Sequence, residues 1–324
     1  MLNIALFVLS FFITICTLLL TGAPPRAETA AVSAPITAVE VEHGNTMAGG
    51  DIQTNPDPSP SATKDPHEIP QLLASSALVI DATTGKEIYK KNPAEKKGVA
   101  SLSKIITAIL GVEHLHLADP ITATKEATLM EGDAGSIHPG EQFTFEQLLQ
   151  TMLIESSNDA ATAIAEHIGR KLGATTFEES QQIFVDLMNQ KAGELGLLNT
   201  TFKTPTGLDS DTSTISNYST AEDLSHLILY SLKYPEIWQI SASENASFTS
   251  LGGFSHSLHN INILTHDTSG IKGGKTGYTD LSGGSVIVLA DDEKGGQKII
   301  IILNSTFDGR FNDAKSLIQW MRNL

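Results

Sequence analysis

Cysteine is almost missing from this sequence, and its scarcity excludes several kinds of site. The 324 residues include one cysteine, Cys16, inside the first apolar stretch. A disulfide framework is therefore excluded, as are a cysteine metal site and a thiol nucleophile in the rest of the chain. The histidines show no His-Glu-x-x-His spacing, and the pair His114 and His116 is more typical of a protein surface than of a metal site. The sequence therefore predicts no bound metal.

Positive charge is also scarce. The chain has 21 Lys and Arg against 37 Asp and Glu, which gives a formal net charge of −16. Nucleic acid and anionic membrane surfaces repel such a chain, so neither is an expected partner. The hydrophobic fraction of 40% is enough for a sizeable core, either in one domain or in a domain of two lobes.

Charged side chains of either sign are absent from the first 23 residues, and residues 2–20 are almost wholly apolar. That length lies between the apolar region of a signal peptide and a membrane span. Residues 1–23 therefore predict export across the cytoplasmic membrane, as a cleaved signal peptide or as a retained N-terminal anchor. Residues 24–68 are rich in Pro, Ala, Ser and Thr without periodicity, which predicts a disordered linker before a folded domain at residues 69–324.

The folded part begins and ends with strand-like patterns. A hairpin pattern at residues 77–89 precedes a long, mostly helical middle. Apolar runs at 285–290 and 298–303 then flank a polar turn, and residues 311–321 close the chain as a helix. This order predicts an α+β fold, in which an antiparallel sheet takes strands from both chain ends and has flanking helices and an inserted helical lobe. A cleft between the two parts is the expected place for a site.

Ser101-Leu102-Ser103-Lys104 is the first candidate for chemistry, at the start of an apolar run. On a helix, residues three apart share a face, so Ser101 and Lys104 can touch. A serine hydroxyl becomes a good nucleophile when a base takes its proton. A lysine can be that base where burial lowers its pKa. Taken alone, the pattern also fits a helix cap followed by a surface lysine.

Two later motifs can supply partners. Ser156 and Asn158 stand at a predicted helix–helix junction, where a hydroxyl and an amide can enter one cleft, although a helix cap also explains this pattern. Lys275, Thr276 and Gly277 follow a glycine-rich run. A cation and a hydroxyl on an edge strand can hold a substrate carboxylate, and the glycine lets a substrate backbone approach.

In this order, S-x-x-K, S-x-N and K-T-G resemble the signature of the penicillin-interacting serine enzymes. The likeness extends beyond the triplets and covers the chain from about Ser75 to Trp320. Over this range the sequence is similar to the low-molecular-weight D-alanyl-D-alanine carboxypeptidases, which form serine peptidase family S11. The segments that resemble this family are residues 100–104, 152–160, 188–197, 199–202, 205–208 and 218–224.

The resemblance implies a β-lactamase/DD-peptidase-like fold and hydrolysis of the terminal D-Ala–D-Ala bond of peptidoglycan stem peptides, with no cofactor. It implies Ser101 as nucleophile, Lys104 as its base and Ser156 as proton relay. β-Lactams are implied as covalent inhibitors that acylate Ser101. The backbone N–H groups of Ser101 and Tyr278 would form the oxyanion hole. The substrate-binding residues implied by the family are Asn158, Lys275, Thr276, Gly277 and Tyr278.

One departure from the family concerns the substrate carboxylate. Relatives often place an arginine shortly before K-T-G, but no arginine occurs here between Arg170 and Arg310. We therefore expect Lys272 or Thr276 to hold the carboxylate, or selectivity for it to be weaker.

Three alternative functions remain open at this stage. A peptidoglycan DD-endopeptidase is poorly separated from a carboxypeptidase by sequence. A class A-like β-lactamase needs a deacylating glutamate in a Glu-x-x-Leu-Asn setting, and the closest approach, Glu194 to Leu198-Asn199, is one residue too long. A non-catalytic penicillin or wall sensor is disfavoured because all three motifs are intact.

Overall fold

The structure, a computed structural model, describes residues 68–132 and 135–324. The predicted export segment and the linker, apart from its last residue, lie outside the described residues, so both stay predictions. Within those two ranges, no helix has the length and apolar character needed to cross a bilayer.

The elements follow the predicted order of hairpin, helical middle, strands and final helix. The strands are β1 Ser76–Asp81, β2 Glu87–Lys91, β3 Lys97–Gly98, β4 Pro120–Thr122, β5 Gln142–Thr144, β6 Tyr218–Ser219, β7 Asn245–Thr249, β8 Ser255–His259, β9 Ile271–Thr279, β10 Gly283–Asp291 and β11 Gln297–Ser305. The helices are α1 Lys104–His114, α2 Phe145–Ile154, α3 Asn158–Lys171, α4 Phe177–Glu194, α5 Ala221–Ser231, α6 Pro235–Ala242, α7 Leu264–Asp267 and α8 Gly309–Arg322. A 3₁₀ helix, Ala100–Ser103, precedes α1.

A five-stranded sheet with the order β2-β1-β11-β10-β9 organises these elements. All four pairings in it are antiparallel. The N-terminal hairpin therefore pairs with the C-terminal strands, as the sequence predicted. The strand β9, which carries K-T-G, lies at one edge, where its outer side is open to the rest of the site.

Apolar packing on both faces explains why β10 and β11 are nearly continuous apolar runs. Ile299 and Ile301 pack into the large core shared with α1 and α5, whereas Ile300 and Ile302 pack into a second core under α8. Fully burying each such side chain contributes roughly 1.5–3 kcal/mol. The sheet is therefore a rigid layer between α8 and the helical lobe.

Helix caps fix the lobe next to this sheet. The Thr144 hydroxyl accepts a hydrogen bond from the Gln147 N–H in a capping box at the start of α2. The Ser157 hydroxyl accepts from the Ala160 N–H at the start of α3. The short connection between α2 and α3 therefore has a defined path, and it holds Ser156.

Candidate active site

Ser101 lies in the 3₁₀ helix, so the predicted α-helix begins three residues later than the sequence pattern indicated, at Lys104. A 3₁₀ helix has three residues per turn, which brings residues i and i+3 directly above one another. Lys104 Nζ donates to Ser101 Oγ at 2.9 Å. The residue before the predicted nucleophile, Ala100, has a φ of +44°. This left-handed conformation is strained for a residue other than glycine, and such strain is common at functional sites.

Lys104 is fully buried, with a relative exposure of 0%. Besides Ser101, its Nζ donates to Asn158 Oδ1 at 2.7 Å and to the Thr206 carbonyl at 2.9 Å. A neutral amine has two N–H bonds and one lone pair. It can therefore keep the bonds to Asn158 and Thr206 while its lone pair accepts the Ser101 proton.

Ser156 and Lys275 meet from opposite sides of the site. Ser156 has a φ of +64° in the connection between α2 and α3. Lys275 on β9 donates from Nζ to Ser156 Oγ at 2.7 Å and to the Thr276 carbonyl at 2.9 Å. Burial is the main cause that lowers the pKa of Lys275 well below its ordinary value, and the proximity of Lys104 and Arg310 lowers it further.

The glycine of K-T-G lets β9 lie against the 3₁₀ helix. A Cβ at Gly277 would stand 2.9 Å from the Val99 carbonyl oxygen and 3.2 Å from the Ser101 nitrogen. Any side chain there would push the strand away from the nucleophile. Glycine therefore brings the backbone of Thr276 and Tyr278 alongside Ser101.

A cavity of about 510 Å³ joins the three motifs. Six of the eight predicted site residues line it: Ser101, Ser156, Asn158, Thr276, Gly277 and Tyr278. The other two, Lys104 and Lys275, are buried and hydrogen-bond to lining residues. The structure thus brings together all eight predicted residues.

Arg310, which sequence analysis did not select, also lines this cavity. It lies in the first turn of α8. Its guanidinium carbon lies 4.3 Å from the Phe307 ring centre and 4.6 Å from the Phe311 ring centre. Its Nη1 donates to the Gly277 carbonyl at 3.4 Å, while its buried Nε has no hydrogen-bond partner. Burial lowers the pKa of Arg310 to about 10, against the opposing effect of Asp308 and Tyr278.

This unsatisfied guanidinium edge suits an anion that enters the cavity. Burying an arginine that has no ion pair with an acidic side chain costs free energy unless a ligand forms hydrogen bonds with it. Its planar fork fits a carboxylate with two hydrogen bonds. An arginine that the sequence lacks before K-T-G thus lines the cavity from α8, after K-T-G in the chain.

The expectation that Lys272 holds the carboxylate is wrong. Lys272 Nζ pairs with Asp291 Oδ2 at 2.9 Å, and the residue does not line the cavity. Glu194, the closest match to a deacylating glutamate, is likewise outside the cavity and pairs with Lys191 at 3.1 Å. Glu194 therefore does not stand where the deacylating glutamate of a class A-like β-lactamase would be needed.

Gly207 supports the unusual backbone at Ala100, and this gives a test of how the nucleophile is positioned. A Cβ at Gly207, whose φ is +84°, would overlap the Ala100 carbonyl. We expect Gly207→Ala to displace the 3₁₀ helix and to lower the acylation rate of Ser101 by at least about 10²-fold, since small misplacements of reacting groups cost that much.

The matched control is Gly140→Ala. Gly140 has a φ of +82°, yet nothing lies within 4 Å of the added Cβ. It therefore carries only the backbone strain of about 1–2 kcal/mol. The measurement is the acylation rate by a fluorescent penicillin beside the thermal midpoint of each variant. Equal acylation rates in the two variants would contradict the role given to Gly207.

Comparison with known proteins identifies a family and similar sequences. The model of peptidase family S11, described as D-alanyl-D-alanine carboxypeptidase, matches residues 62–306. D-alanyl-D-alanine carboxypeptidase DacF of Bacillus subtilis (strain 168) is 33% identical over 253 residues, which are 76% of this chain and 61% of that protein. A D-alanyl-D-alanine endopeptidase of Pseudomonas aeruginosa is 29% identical over 258 residues, 78% of each chain.

The fold is similar to that of a solved relative. The crystal structure of a D-alanyl-D-alanine carboxypeptidase from Mycobacterium tuberculosis has a TM-score of 0.70 at 29% identity and covers 79% of this chain and 94% of that chain. The predicted α+β, DD-peptidase-like architecture is confirmed. On the match over residues 62–306, the chain belongs to the D-alanyl-D-alanine carboxypeptidase family, peptidase family S11.

Proposed function

We propose that the protein is a serine-type D-Ala–D-Ala carboxypeptidase that trims peptidoglycan stem peptides through an acyl-enzyme at Ser101. The observation that carries this proposal is the contact of Lys104 Nζ with Ser101 Oγ, at 2.9 Å inside a cavity that also holds Ser156 and Arg310. A nucleophile, a buried base and an anion receptor in one cleft are what hydrolysis of a peptide with a free carboxylate requires.

Acylation starts when Ser101 Oγ attacks the carbonyl carbon of the penultimate D-alanine and its proton passes to the neutral Lys104 amine. The backbone N–H groups of Ser101 and Tyr278 stabilise the negative charge that develops on the carbonyl oxygen. The C–N bond then breaks, and the leaving D-alanine amine receives a proton through Ser156. Asn158 binds the substrate amide. The proton that reaches the amine is the one that Lys104 took from Ser101, and Lys275 orients the Ser156 hydroxyl to which it donates.

Deacylation repeats these steps with water in place of the serine. Water loses its proton to the base, its oxygen bonds to the acyl carbon, and the ester bond to Ser101 breaks as the proton returns to Oγ. A β-lactam acylates the same oxygen because its strained amide takes the place of the scissile bond. Since its amine stays tethered after ring opening, the product blocks the path of water.

The substrate carboxylate is held at the other end of the cavity, by Arg310 with Thr276 and the nearby Lys275. The Arg310 guanidinium, which lines the cavity, favours an anionic substrate there although the chain as a whole is acidic. Thr276 thereby keeps the role expected of it, while Arg310 replaces the missing upstream arginine.

Arg310→Leu tests this assignment. We expect it to lower kcat/KM for a D-Ala–D-Ala peptide by about 10–100-fold, the effect of losing a buried charge-assisted pair of hydrogen bonds. A peptide with the terminal carboxylate amidated should lose far less, so the preference for a free carboxylate should shrink. Arg310→Lys keeps the positive charge but not the planar guanidinium, so its kcat/KM should lie between those of the wild type and Arg310→Leu. An equal loss for both peptides would contradict the assignment.

The function itself is tested by incubating the purified protein with a stem pentapeptide and with cross-linked muropeptides. Release of D-alanine from the pentapeptide supports a carboxypeptidase. Cleavage of cross-links alone would favour the endopeptidase alternative, and rapid turnover of a chromogenic β-lactam would favour the β-lactamase alternative. No release of D-alanine by well-folded protein would refute the proposal.

We also propose that the enzyme works outside the cytoplasm, in the periplasm or on the outer face of the cytoplasmic membrane. The uncharged apolar stretch at residues 2–20 supports this location. So does the position of peptidoglycan outside the membrane. A membrane tether through residues 2–23 fits the same stretch. The mass of the exported protein would show whether residues 1–23 are kept.

A further inference from the structure

Exposed apolar side chains line the cavity that also holds Arg310. Ile261, Ile263, Tyr278 and Phe307 all line this cavity, and each is at least 41% exposed. Single exposed apolar side chains are common on protein surfaces, but several along one cleft indicate a binding surface. The polar chemistry of Ser101 and Lys104 does not need them.

Two of these side chains form a wall with a defined geometry, which we call the aromatic wall: the rings of Tyr278 and Phe307. Their ring centres are 5.0 Å apart with an interplanar angle of 88°, an edge-to-face contact. The Tyr278 hydroxyl donates to Asp280 Oδ1 at 3.0 Å, which fixes the tyrosine from its far end. Phe307 covers one face of the Arg310 guanidinium.

The aromatic wall limits how a carboxylate can reach Arg310. Phe307 and Phe311 both lie against the guanidinium, so an anion in the cavity must approach the edge of the guanidinium and not a face. A carboxylate bound there keeps its own α-carbon in the cavity, beside the aromatic wall. The side chain of the leaving residue therefore meets apolar surface.

We infer that the aromatic wall selects the leaving residue, favouring a D-residue with a small apolar side chain and a free carboxylate over one with a long polar side chain. This inference rests on the proposed function. Burying a charged or polar group against apolar walls without a hydrogen-bond partner is costly. A D-alanine methyl group has no such cost.

The consequence separates two activities that occur among the relatives. A carboxypeptidase releases a single D-residue. An endopeptidase cuts a cross-link between two stem peptides. Its leaving group is therefore a polar diamino acid that belongs to the second stem peptide. The aromatic wall disfavours that longer leaving group, so Phe307 would direct this site towards the carboxypeptidase reaction.

The test uses three substrates that share one acyl part: a peptide ending in D-Ala–D-Ala, the same peptide ending in D-Ala–D-Lys, and a cross-linked muropeptide. For the wild type we expect kcat/KM to be at least about 10-fold higher with D-alanine as the leaving residue, the discrimination typical of apolar pockets. Phe307→Ala and Phe307→Gln should each reduce that ratio several-fold, mainly by improving the two poorer substrates.

Phe254→Ala is the matched control. Phe254 is 48% exposed against 54% for Phe307, but it does not line the cavity. Its substitution should leave the ratio unchanged. Because Phe307 is so exposed, we expect its variants to fold, and thermal midpoints check this.

Two outcomes would overturn the inference. The first is a ratio that stays at the wild-type value in both Phe307 variants. The second is an equal loss on all three substrates, which would mean that Phe307 acts only by supporting Arg310. Wild-type protein that releases nothing from any substrate would instead refute the proposed function, so the two failures are distinguishable.

Discussion

Replacing Ser101 with alanine is expected to lower D-alanine release by at least about 10³-fold and to abolish covalent labelling by penicillin, because the substitution removes the atom that forms the acyl bond. Ser101 is only half-buried, so the loss of its hydroxyl should leave the thermal midpoint close to that of the wild type. D-Alanine release and the intact mass after penicillin treatment measure the two effects.

Ser103→Ala is the control for this substitution, since Ser103 lies in the same 3₁₀ helix. Its buried hydroxyl donates to the Ala100 carbonyl at 2.6 Å and accepts from Asn217 Nδ2 at 2.8 Å. We expect its loss to lower the free energy of unfolding by about 1–3 kcal/mol while Ser101 still becomes acylated. A penicillin adduct that persists in Ser101→Ala would assign the nucleophile to another residue.

Lys104→Met is expected to slow acylation by at least about 10³-fold, because it removes the group that takes the Ser101 proton while keeping a side chain of similar length. Ground-state binding should change much less. The substitution also removes the donor that bonds to Asn158 Oδ1 and to the Thr206 carbonyl, so stability should fall as well. The second-order rate of acylation by a fluorescent penicillin, followed over pH, measures the catalytic effect.

Lys203→Met serves as the comparison, because Lys203 is exposed and close in sequence to the Thr206 carbonyl. It should acylate at the wild-type rate. Near-normal acylation in Lys104→Met would instead assign the base to Lys275, whose pKa burial lowers. Lys275→Met alone would then acylate slowly.

The sheet was predictable because its strands are strongly patterned. The runs that became β10 and β11 are apolar at nearly every position, and only burial on both faces satisfies such runs. The N-terminal hairpin could be predicted from its apolar residues and its turn residues alone. The motif residues could likewise be assigned from their order along the chain, and the structure brings all eight together.

Arg310 could not be assigned in this way, because its role depends on a long-range contact. Only the packing of α8 under the sheet brings its guanidinium to the carbonyl of Gly277 on β9. A signal was present, since a charged residue stands beside Phe311 on the buried side of a helix. Short-range patterns gave no reason to connect that residue with K-T-G.

Backbone conformation was also beyond the sequence pattern. Ala100 and Ser156 are ordinary residues in left-handed conformations, which tertiary packing imposes and local propensity disfavours. The 3₁₀ form at Ser101 follows from the same packing, since Gly207 and Gly277 press against it. These departures from local preference occur where the chemistry is.

Mass spectrometry of the protein before and after reaction with benzylpenicillin tests most directly whether Ser101 forms the acyl-enzyme. Proteolysis then maps the adduct to a fragment. We expect one adduct with the full mass of the penicillin, on the fragment that contains Ser101, in protein that releases D-alanine from a pentapeptide. An adduct on another residue, or D-alanine release by protein that forms no adduct, would contradict it.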